Sequence, residues 1–240
     1  NKLPKNYKGC YINILRNCVE PKFQQDNSDS NTGLVLGYVQ SGKTLSFTSL
    51  ITLAKDNGYK IVIIFAGSTN LLLDQTIDRL NDDLPNRDNY VIIKNPNLKN
   101  ANSISNTLNN KYRDRLIILP ILKNHKYIED LNNLFKSRPI EKFISLNSIL
   151  IVDDEADQAS LNTRGNFNFK NKQKDIETDE QSTTYYKISQ LKSILKNHSY
   201  LQYTATPQAN LLLESRDLLL PNWVEVLEPG LSYTGGIEFF

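Results

Sequence analysis

The stretch GYVQSGKT, residues 37–44, has the residue types and spacing needed to bind phosphate groups. It fits the pattern G-x-x-x-x-G-K-[ST] and follows an apolar run, as a loop between a strand and a helix would. In such a loop the backbone amides and the helix N-terminus bind phosphate oxygens, the lysine reaches the β- and γ-phosphates, and the threonine hydroxyl binds Mg²⁺. A Gly-containing turn without a ligand is the alternative. The predicted nucleotide contacts are Gly37, Gln40, Ser41, Gly42, Lys43 and Thr44, with Thr44 also a ligand of Mg²⁺.

Acidic residues end a second apolar run. Asp153, Asp154 and Glu155 follow the letters SILIV, and the carboxyl ends of strands are where open α/β sheets bind ligands. We assign Asp154 to Mg²⁺, held through water, and Glu155 to accepting a proton from the attacking water. Glu155 and Lys43 are thus the predicted catalytic residues, with ATP as substrate. The alternative is a solvated acidic strand end without a catalytic role.

Residues 154–157 spell DEAD, and the later stretch YTATPQ leaves another strand. Helicase-like ATPases carry a Ser/Thr-Ala-Thr motif at this place, whose hydroxyls bond to the acidic motif and relay nucleotide state to the nucleic-acid side. By this resemblance we predict a contact between Asp157 and Thr204 or Thr206. Taken alone, threonine and proline at a strand exit usually only make a turn.

Two strand-to-helix junctions could contact nucleic acid. Ser68, Thr69 and Asn70 follow an apolar strand and open a helix, so their amides and hydroxyls suit phosphate groups. Lys123, in KNH, occupies the equivalent place after a later strand, with Asn124 beside it. At both junctions the alternative is that these side chains only cap the helix that follows.

Alternating strands and helices must position these motifs. Strand-like runs separated by helical patterns predict an α/β fold with right-handed crossovers, that is, a mainly parallel, RecA-like sheet with helices on both faces. The helix after the phosphate loop is expected to end at Gly58. We divide the chain into a helical segment and linker, 1–32, and an ATPase lobe, 33–240, with a polar loop at 160–183. The predicted strands are Leu34–Leu36, Lys60–Ala66, Tyr90–Lys94, Leu116–Ile121, Ile149–Val152 and Tyr200–Thr204.

Composition restricts the function only loosely. The chain is 39% hydrophobic and 22% charged with a formal net charge of +2, so any nucleic-acid site must be local. No apolar run approaches the roughly 18 to 20 residues of a membrane span, and the N-terminus lacks a signal peptide, so a cytoplasmic protein without a membrane partner is expected. The two cysteines and two histidines lack metal-site spacing. The absence of methionine suggests an internal or processed piece.

Together these motifs resemble the first RecA-like lobe of a superfamily-two helicase. More narrowly, the chain resembles a bacterial family of helicase-like ATPases labelled "endonuclease, Z-one domain", found near restriction, methylation and other anti-phage genes. The matching stretches are GLVLGYVQSGKTLSF, DNGYKIVIIFAGSTNLLLDQTIDRL, ILIVDDEADQASLNT, YLQYTATPQANLLL and DLLLPNWVEVLEPGLSYTGGIEFF. The resemblance implies an ATP- and Mg²⁺-dependent motor acting on DNA in a defence system, with a nuclease or methylase as a further partner. No nuclease motif is evident in the chain.

The resemblance also implies a second lobe, with an arginine finger, beyond the last residue given. Such fingers contribute about 10³- to 10⁵-fold to turnover in the P-loop enzymes that use them. We therefore predict that residues 1–240 alone bind ATP but hydrolyse it slowly, as measured by phosphate release. Rapid turnover by residues 1–240 would contradict the two-lobe interpretation.

Two other functions are compatible with a phosphate loop. A nucleotide-gated scaffold would bind ATP and recruit a nuclease or methylase without translocating, and nucleic acid would not stimulate it. A nucleotide or nucleoside kinase is disfavoured by the DEAD and T-A-T-P stretches and by the lack of an evident Arg-rich lid. Stimulation of ATP hydrolysis by a polymer separates the motor from the scaffold.

Overall fold

The seven strands in the described residues lie side by side in a single parallel sheet, in the order β3-β4-β2-β5-β6-β1-β7. Parallel neighbours require crossover connections, which here are mostly helices. The strands are β1 (Ser30–Leu36), β2 (Ile61–Ala66), β3 (Tyr90–Ile92), β4 (Leu116–Ile121), β5 (Ile149–Asp154), β6 (His198–Thr204) and β7 (Trp223–Val226). The computed structural model describes residues 7–21, 30–37, 43–110, 114–157, 180–211 and 217–227.

Eight α-helices and two short 3₁₀ helices lie within this described part of the chain. None of its helices combines the length and the apolar character that crossing a membrane requires. The helices are α1 (Tyr7–Arg16), α2 (Lys43–Asp56), α3 (Asn70–Asp83), α4 (Ala101–Leu108), α5 (His125–Phe135), α6 (Arg138–Leu146), α7 (Glu180–Ile194) and α8 (Gln208–Leu211), with 3₁₀ turns at Arg87–Asn89 and Leu98–Asn100.

Helices cover both faces of the sheet. Val62 and Ile64 of β2 pack into a core with α1, α2 and α3, whereas Ile61, Ile63 and Phe65 pack into a core with α4 to α7. Because successive side chains of a strand point to opposite faces, a strand buried on both faces has no polar alternation. The letters IVIIFA of β2 are therefore apolar throughout. The predicted α/β fold, with a parallel sheet between two helical layers, is confirmed.

The first helix belongs to the same core as the sheet. Tyr11 and Ile14 of α1 are buried with Phe47 of α2 and Val35 of β1. Strand β1 begins at Ser30, slightly before the predicted start of the lobe at residue 33. The division of the chain at residue 32 stays a prediction.

The end of α2 agrees with the prediction from sequence, whereas the start of α7 and the presence of β7 differ from it. The helix after the phosphate loop does end before Gly58, whose φ of +97° is the left-handed conformation that glycine adopts easily. The polar loop was predicted to extend to residue 183, but α7 already begins at Glu180. Residues 158–179 lie outside the described part. Strand β7 was not predicted, although six of the seven strands were.

Candidate functional site

Each predicted motif follows or ends a strand, and the carboxyl ends of these parallel strands share one edge of the sheet. The phosphate loop follows β1, the T-A-T-P stretch follows β6, the acidic residues end β5, and the two junctions follow β2 and β4. In the sheet these strands stand in the order β4-β2-β5-β6-β1. The T-A-T-P stretch at the end of β6 therefore lies between the end of β1 and the acidic end of β5, and the junction after β2 lies on the other side of the acidic residues.

The described residues on both sides of the phosphate loop have the structure that the pattern requires. The amide of Gly37, directly after β1, donates to the carbonyl of Thr204 at 3.1 Å, so the loop leaves the sheet at a fixed point. Helix α2 starts at Lys43, and its N-terminus carries the positive end of the helix dipole. Residues 38–42, which include Gln40, Ser41 and Gly42, lie outside the described residues, as do the side chains of Lys43 and Thr44. Their phosphate and Mg²⁺ contacts stay predictions.

Glu155 has an unusual backbone conformation at the end of β5. Asp154 still pairs with Tyr203 of β6, and the amide of Ala156 donates to the carbonyl of the same Tyr203 at 3.0 Å. Between them Glu155 has a φ of +55°, in the left-handed region that non-glycine residues seldom occupy. Such strained residues concentrate at functional sites. Asp154 and Glu155 are half-buried, and the amide of Glu155 donates to Asp154 Oδ1 at 3.2 Å.

Behind this turn lies a buried charged cluster that the sequence analysis missed. Asp153 and the side chain of Lys123 are both fully buried, and Lys123 Nζ lies 2.7 Å from Asp153 Oδ1. The hydroxyl of Tyr200 donates to Asp153 Oδ2 at 2.5 Å. Lys123 Nζ also donates to the carbonyl oxygens of Asp154, at 2.7 Å, and Glu155, at 2.9 Å. The ammonium group thus holds the backbone of the acidic turn from inside the protein.

The burial of Lys123 contradicts the nucleic-acid contact that was predicted for it. A lysine that contacts a nucleic-acid backbone needs an exposed ammonium group, and this one is enclosed by three oxygens. The capping alternative holds for its neighbour, because the Asn124 side chain accepts a hydrogen bond from the amide of Lys126 at the start of α5.

At the junction after β2, Ser68, Thr69 and Asn70 are exposed. The Thr69 side chain accepts a hydrogen bond from the amide of Leu72, so Thr69 caps α3, as the alternative reading proposed. Gly67 has a φ of +68°, and a Cβ there would lie 2.7 Å from Leu72 Cδ1. The turn therefore requires glycine. Capping leaves the exposed groups at 68–70 accessible, and their contact with nucleic acid stays a prediction.

The predicted contact between the DEAD stretch and the T-A-T-P stretch is present. Thr204 Oγ1 donates to Asp157 Oδ1 at 2.8 Å, and Thr206 Oγ1 donates to Asp157 Oδ2 at 2.6 Å. The amide of Thr206 donates to Thr204 Oγ1 at 2.9 Å, which fixes the turn. One carboxylate therefore ties the end of β6 to the segment after β5.

These hydrogen bonds lower the pKa of Asp157. Partial burial alone would raise the pKa of its carboxyl, but the hydrogen bonds from Thr206 and Thr204, with a contribution from the positive charge of Lys123, outweigh burial and lower the pKa. Asp157 is therefore ionised at neutral pH and accepts both hydroxyl protons.

A carboxyl group whose pKa is lowered by folding stabilises the protein above its unfolded-state pKa, about 3.9 for aspartate. We expect the wild type to be more stable than Asp157→Asn at pH 7. Solvent screening of this partly exposed group keeps the difference below about 1 kcal/mol. The difference should vanish as the pH falls through the lowered pKa of Asp157. Urea unfolding across this range measures it, with exposed Asp130→Asn as control; a difference unchanged in strong acid contradicts the prediction.

Mg²⁺ binding here would depend on few protein ligands. In the portion of the chain that the structure describes, no group of three or more His, Cys, Asp or Glu residues could hold a metal. Mg²⁺ at nucleotide sites keeps several waters and takes one or two protein oxygens plus the phosphates, so it needs no such cluster. A carboxylate at Asp154 and a hydroxyl at Thr44 are the kinds of oxygen donors that it prefers.

Comparison with known proteins adds little to this geometry. No protein-family model matches the chain, and neither does any curated protein. Among solved structures, the chain is similar to one described as the structure of Drosophila ORC bound to DNA, with 12% sequence identity over 80% of this chain and 94% of that chain and a TM-score of 0.25.

Proposed function

We propose that this chain is the ATP-binding and ATP-hydrolysing first lobe of a superfamily-two helicase-like protein, a DNA-dependent motor in a bacterial restriction or anti-phage system. The observation that carries the proposal is the pair of hydrogen bonds from Thr204 and Thr206 to Asp157. A phosphate loop alone is compatible with many P-loop enzymes. A helicase-like ATPase also needs a contact that transmits its nucleotide state. Asp157 supplies one, because it lies next to the predicted hydrolytic residues and is hydrogen-bonded to the residues at the end of β6.

In this proposal the substrate ATP lies against the loop between β1 and α2. Lys43 and the loop amides bind its phosphates, and Thr44 and Asp154 hold Mg²⁺, which would neutralise charge on the phosphate oxygens. Glu155 accepts a proton from the attacking water. Ser68, Thr69 and Asn70, after β2, contact the nucleic-acid backbone. The family resemblance supports DNA as the polymer and a nuclease or methylase of the same system as a partner.

The test is ATP hydrolysis by the full-length protein without nucleic acid and with single-stranded DNA, duplex DNA or RNA. We expect one form of DNA to stimulate hydrolysis, and Glu155→Gln to abolish the stimulated rate. If RNA alone stimulates hydrolysis, the polymer on which the motor acts is RNA and not DNA. Turnover that no polymer changes would favour the nucleotide-gated scaffold, and a protein partner would then be sought by its ATP-dependent binding.

A further inference from the structure

Lys123 is a buried lysine for which the proposed hydrolysis reaction has no direct use. Burying an ammonium group is costly, and removing its counter-ion from such a pair leaves an uncompensated charge. The cost is offset here by three oxygens within 2.9 Å of Nζ, one from Asp153 and two from backbone carbonyls. A charge-neutralising role needs only the carboxylate. The two carbonyl contacts therefore point to a role in holding the backbone.

The carbonyls that Lys123 binds belong to Asp154 and Glu155, on the two sides of the Glu155 Cα atom. Fixing two successive carbonyls fixes the orientation of both peptide planes, and hence the backbone torsion angles of the residue between them. That residue is the one with a φ of +55°. A left-handed non-glycine residue persists only where its surroundings hold it. The Lys123 ammonium group is such a restraint, and the bond from the Ala156 amide to Tyr203 is another.

The backbone of Lys123 is also hydrogen-bonded to the turn after β2, where nucleic-acid contacts are predicted. Its backbone amide donates to the carbonyl of Gly67 at 2.8 Å. Gly67 is the left-handed glycine that turns the chain from β2 into the exposed residues 68–70. A single residue thus bonds through its backbone to the turn after β2 and through its side chain to the turn after β5.

We propose that Lys123 is a positioning residue that holds Glu155 in its left-handed conformation and links it to the Gly67–Asn70 turn. A polymer bound at residues 68–70 would then change the geometry of Glu155 through Lys123, without contacting the nucleotide. This inference rests on the proposed function, since it assigns the regulation of the same ATP site. Lys123 itself touches neither substrate nor polymer.

The test compares two variants of the full-length protein, Asp153→Asn and Lys123→Met/Asp153→Asn. Both lack the Asp153 carboxylate, so they differ only in the ammonium group that binds the two carbonyls. Tyr200 can still donate to the amide oxygen in both. Lys187→Met serves as a control, because Lys187 also forms an ion pair, with Glu129 at 2.8 Å, but on the outer surface of α5 and α7.

We expect the double variant to have a kcat about 10- to 100-fold below that of Asp153→Asn, since small displacements of a catalytic group have effects of this size. Its ratio of hydrolysis rates with and without DNA should fall towards one. The dissociation constant for a non-hydrolysable ATP analogue should change less than about threefold. A folded double variant with the kcat and DNA stimulation of Asp153→Asn would overturn the proposal.

Hydrogen exchange at the Ala156 amide gives a readout that does not depend on hydrolysis. If Lys123 holds the turn, the amide should exchange at least about tenfold faster in the double variant than in Asp153→Asn, even though removal of the ammonium group, which has lost its counter-ion in Asp153→Asn, should make the double variant the more stable of the two. Unchanged exchange would refute the positioning role. If the wild type shows no ATP hydrolysis at all, the proposed function fails, and the exchange measurement still decides whether Lys123 positions Glu155.

Discussion

Replacing Glu155 by glutamine should lower ATP hydrolysis by about 10²- to 10⁴-fold, the range that a positioned general base contributes. The amide keeps the size of the side chain but cannot accept the proton of the attacking water. Nucleotide affinity should remain close to that of the wild type, because in the proposed function the loop before α2, and not Glu155, binds the phosphates. Single-turnover phosphate release and equilibrium binding of a fluorescent ATP analogue measure the two quantities separately.

The control for this variant is Glu141→Gln. Glu141 is exposed on α6, the helix that leads into the start of β5, and so lies away from the carboxyl edge. The Glu141→Gln substitution should change neither the rate of ATP hydrolysis nor the nucleotide affinity. If Glu155→Gln hydrolyses ATP within about threefold of the wild-type rate, Glu155 is not the base, and the assignment of the acidic turn to hydrolysis is wrong.

Replacing Asp153 by leucine should produce the largest loss of stability among the substitutions considered. The change leaves the Lys123 ammonium group buried without its counter-ion, and removing one partner of a buried pair typically costs about 3–5 kcal/mol. The free energy of unfolding from urea titration should fall by this amount. The m-value should stay constant if the native state keeps its compactness.

The double variant Lys123→Met/Asp153→Leu tests the reason for that loss. With both charges replaced by apolar side chains of similar size, most of the lost stability should return, since buried pairs are often no more stabilising than the apolar residues that replace them. The two substitutions should therefore be strongly non-additive. If the double variant is as unstable as the sum of the single variants, the pair contributes through something other than mutual charge compensation.

The edge of the sheet that carries the site was predictable because its signals are local. The pattern around Lys43 includes the strand before it and the helix after it, and both were found. The contact of Asp157 with Thr204 or Thr206 was predicted from the resemblance of the DEAD and T-A-T-P stretches to helicase-like ATPases, and both threonines make it. Spacing alone would have indicated only a turn after the strand.

The Lys123–Asp153 pair depends on packing and was missed for that reason. A lysine between a strand and a helix cap is exposed in most proteins, and only its surroundings show otherwise. A signal did exist in β5, where alternation places Asp153 on the same face as Ile149 and Ile151. Since β5 is buried on both faces, that carboxylate needed a buried partner. The sequence does not reveal which cation supplies it.

Strand β7 was missed because its four residues are a weak signal. The letters WVEV alternate between half-buried and exposed positions at the edge of the sheet, directly after Pro221 and Asn222. Gly33 of β1 gives a second clue only in three dimensions. A Cβ there would lie 2.2 Å from the ring of Trp223, so the glycine makes room for the neighbouring strand. Neither residue alone predicts the pairing.

The order of strands in the sheet has a consequence for how the protein is made. Within the described strands β1 pairs with β6 and β7, and His198, the partner of Ser30, is synthesised long after it. Strand β2 can pair with β4 and with β5 earlier. During synthesis β1 therefore remains without a neighbour until β6 leaves the ribosome, and such long-range parallel pairing is slow. If the proposed site binds nucleotide, it is expected to do so only after β6 has been synthesised.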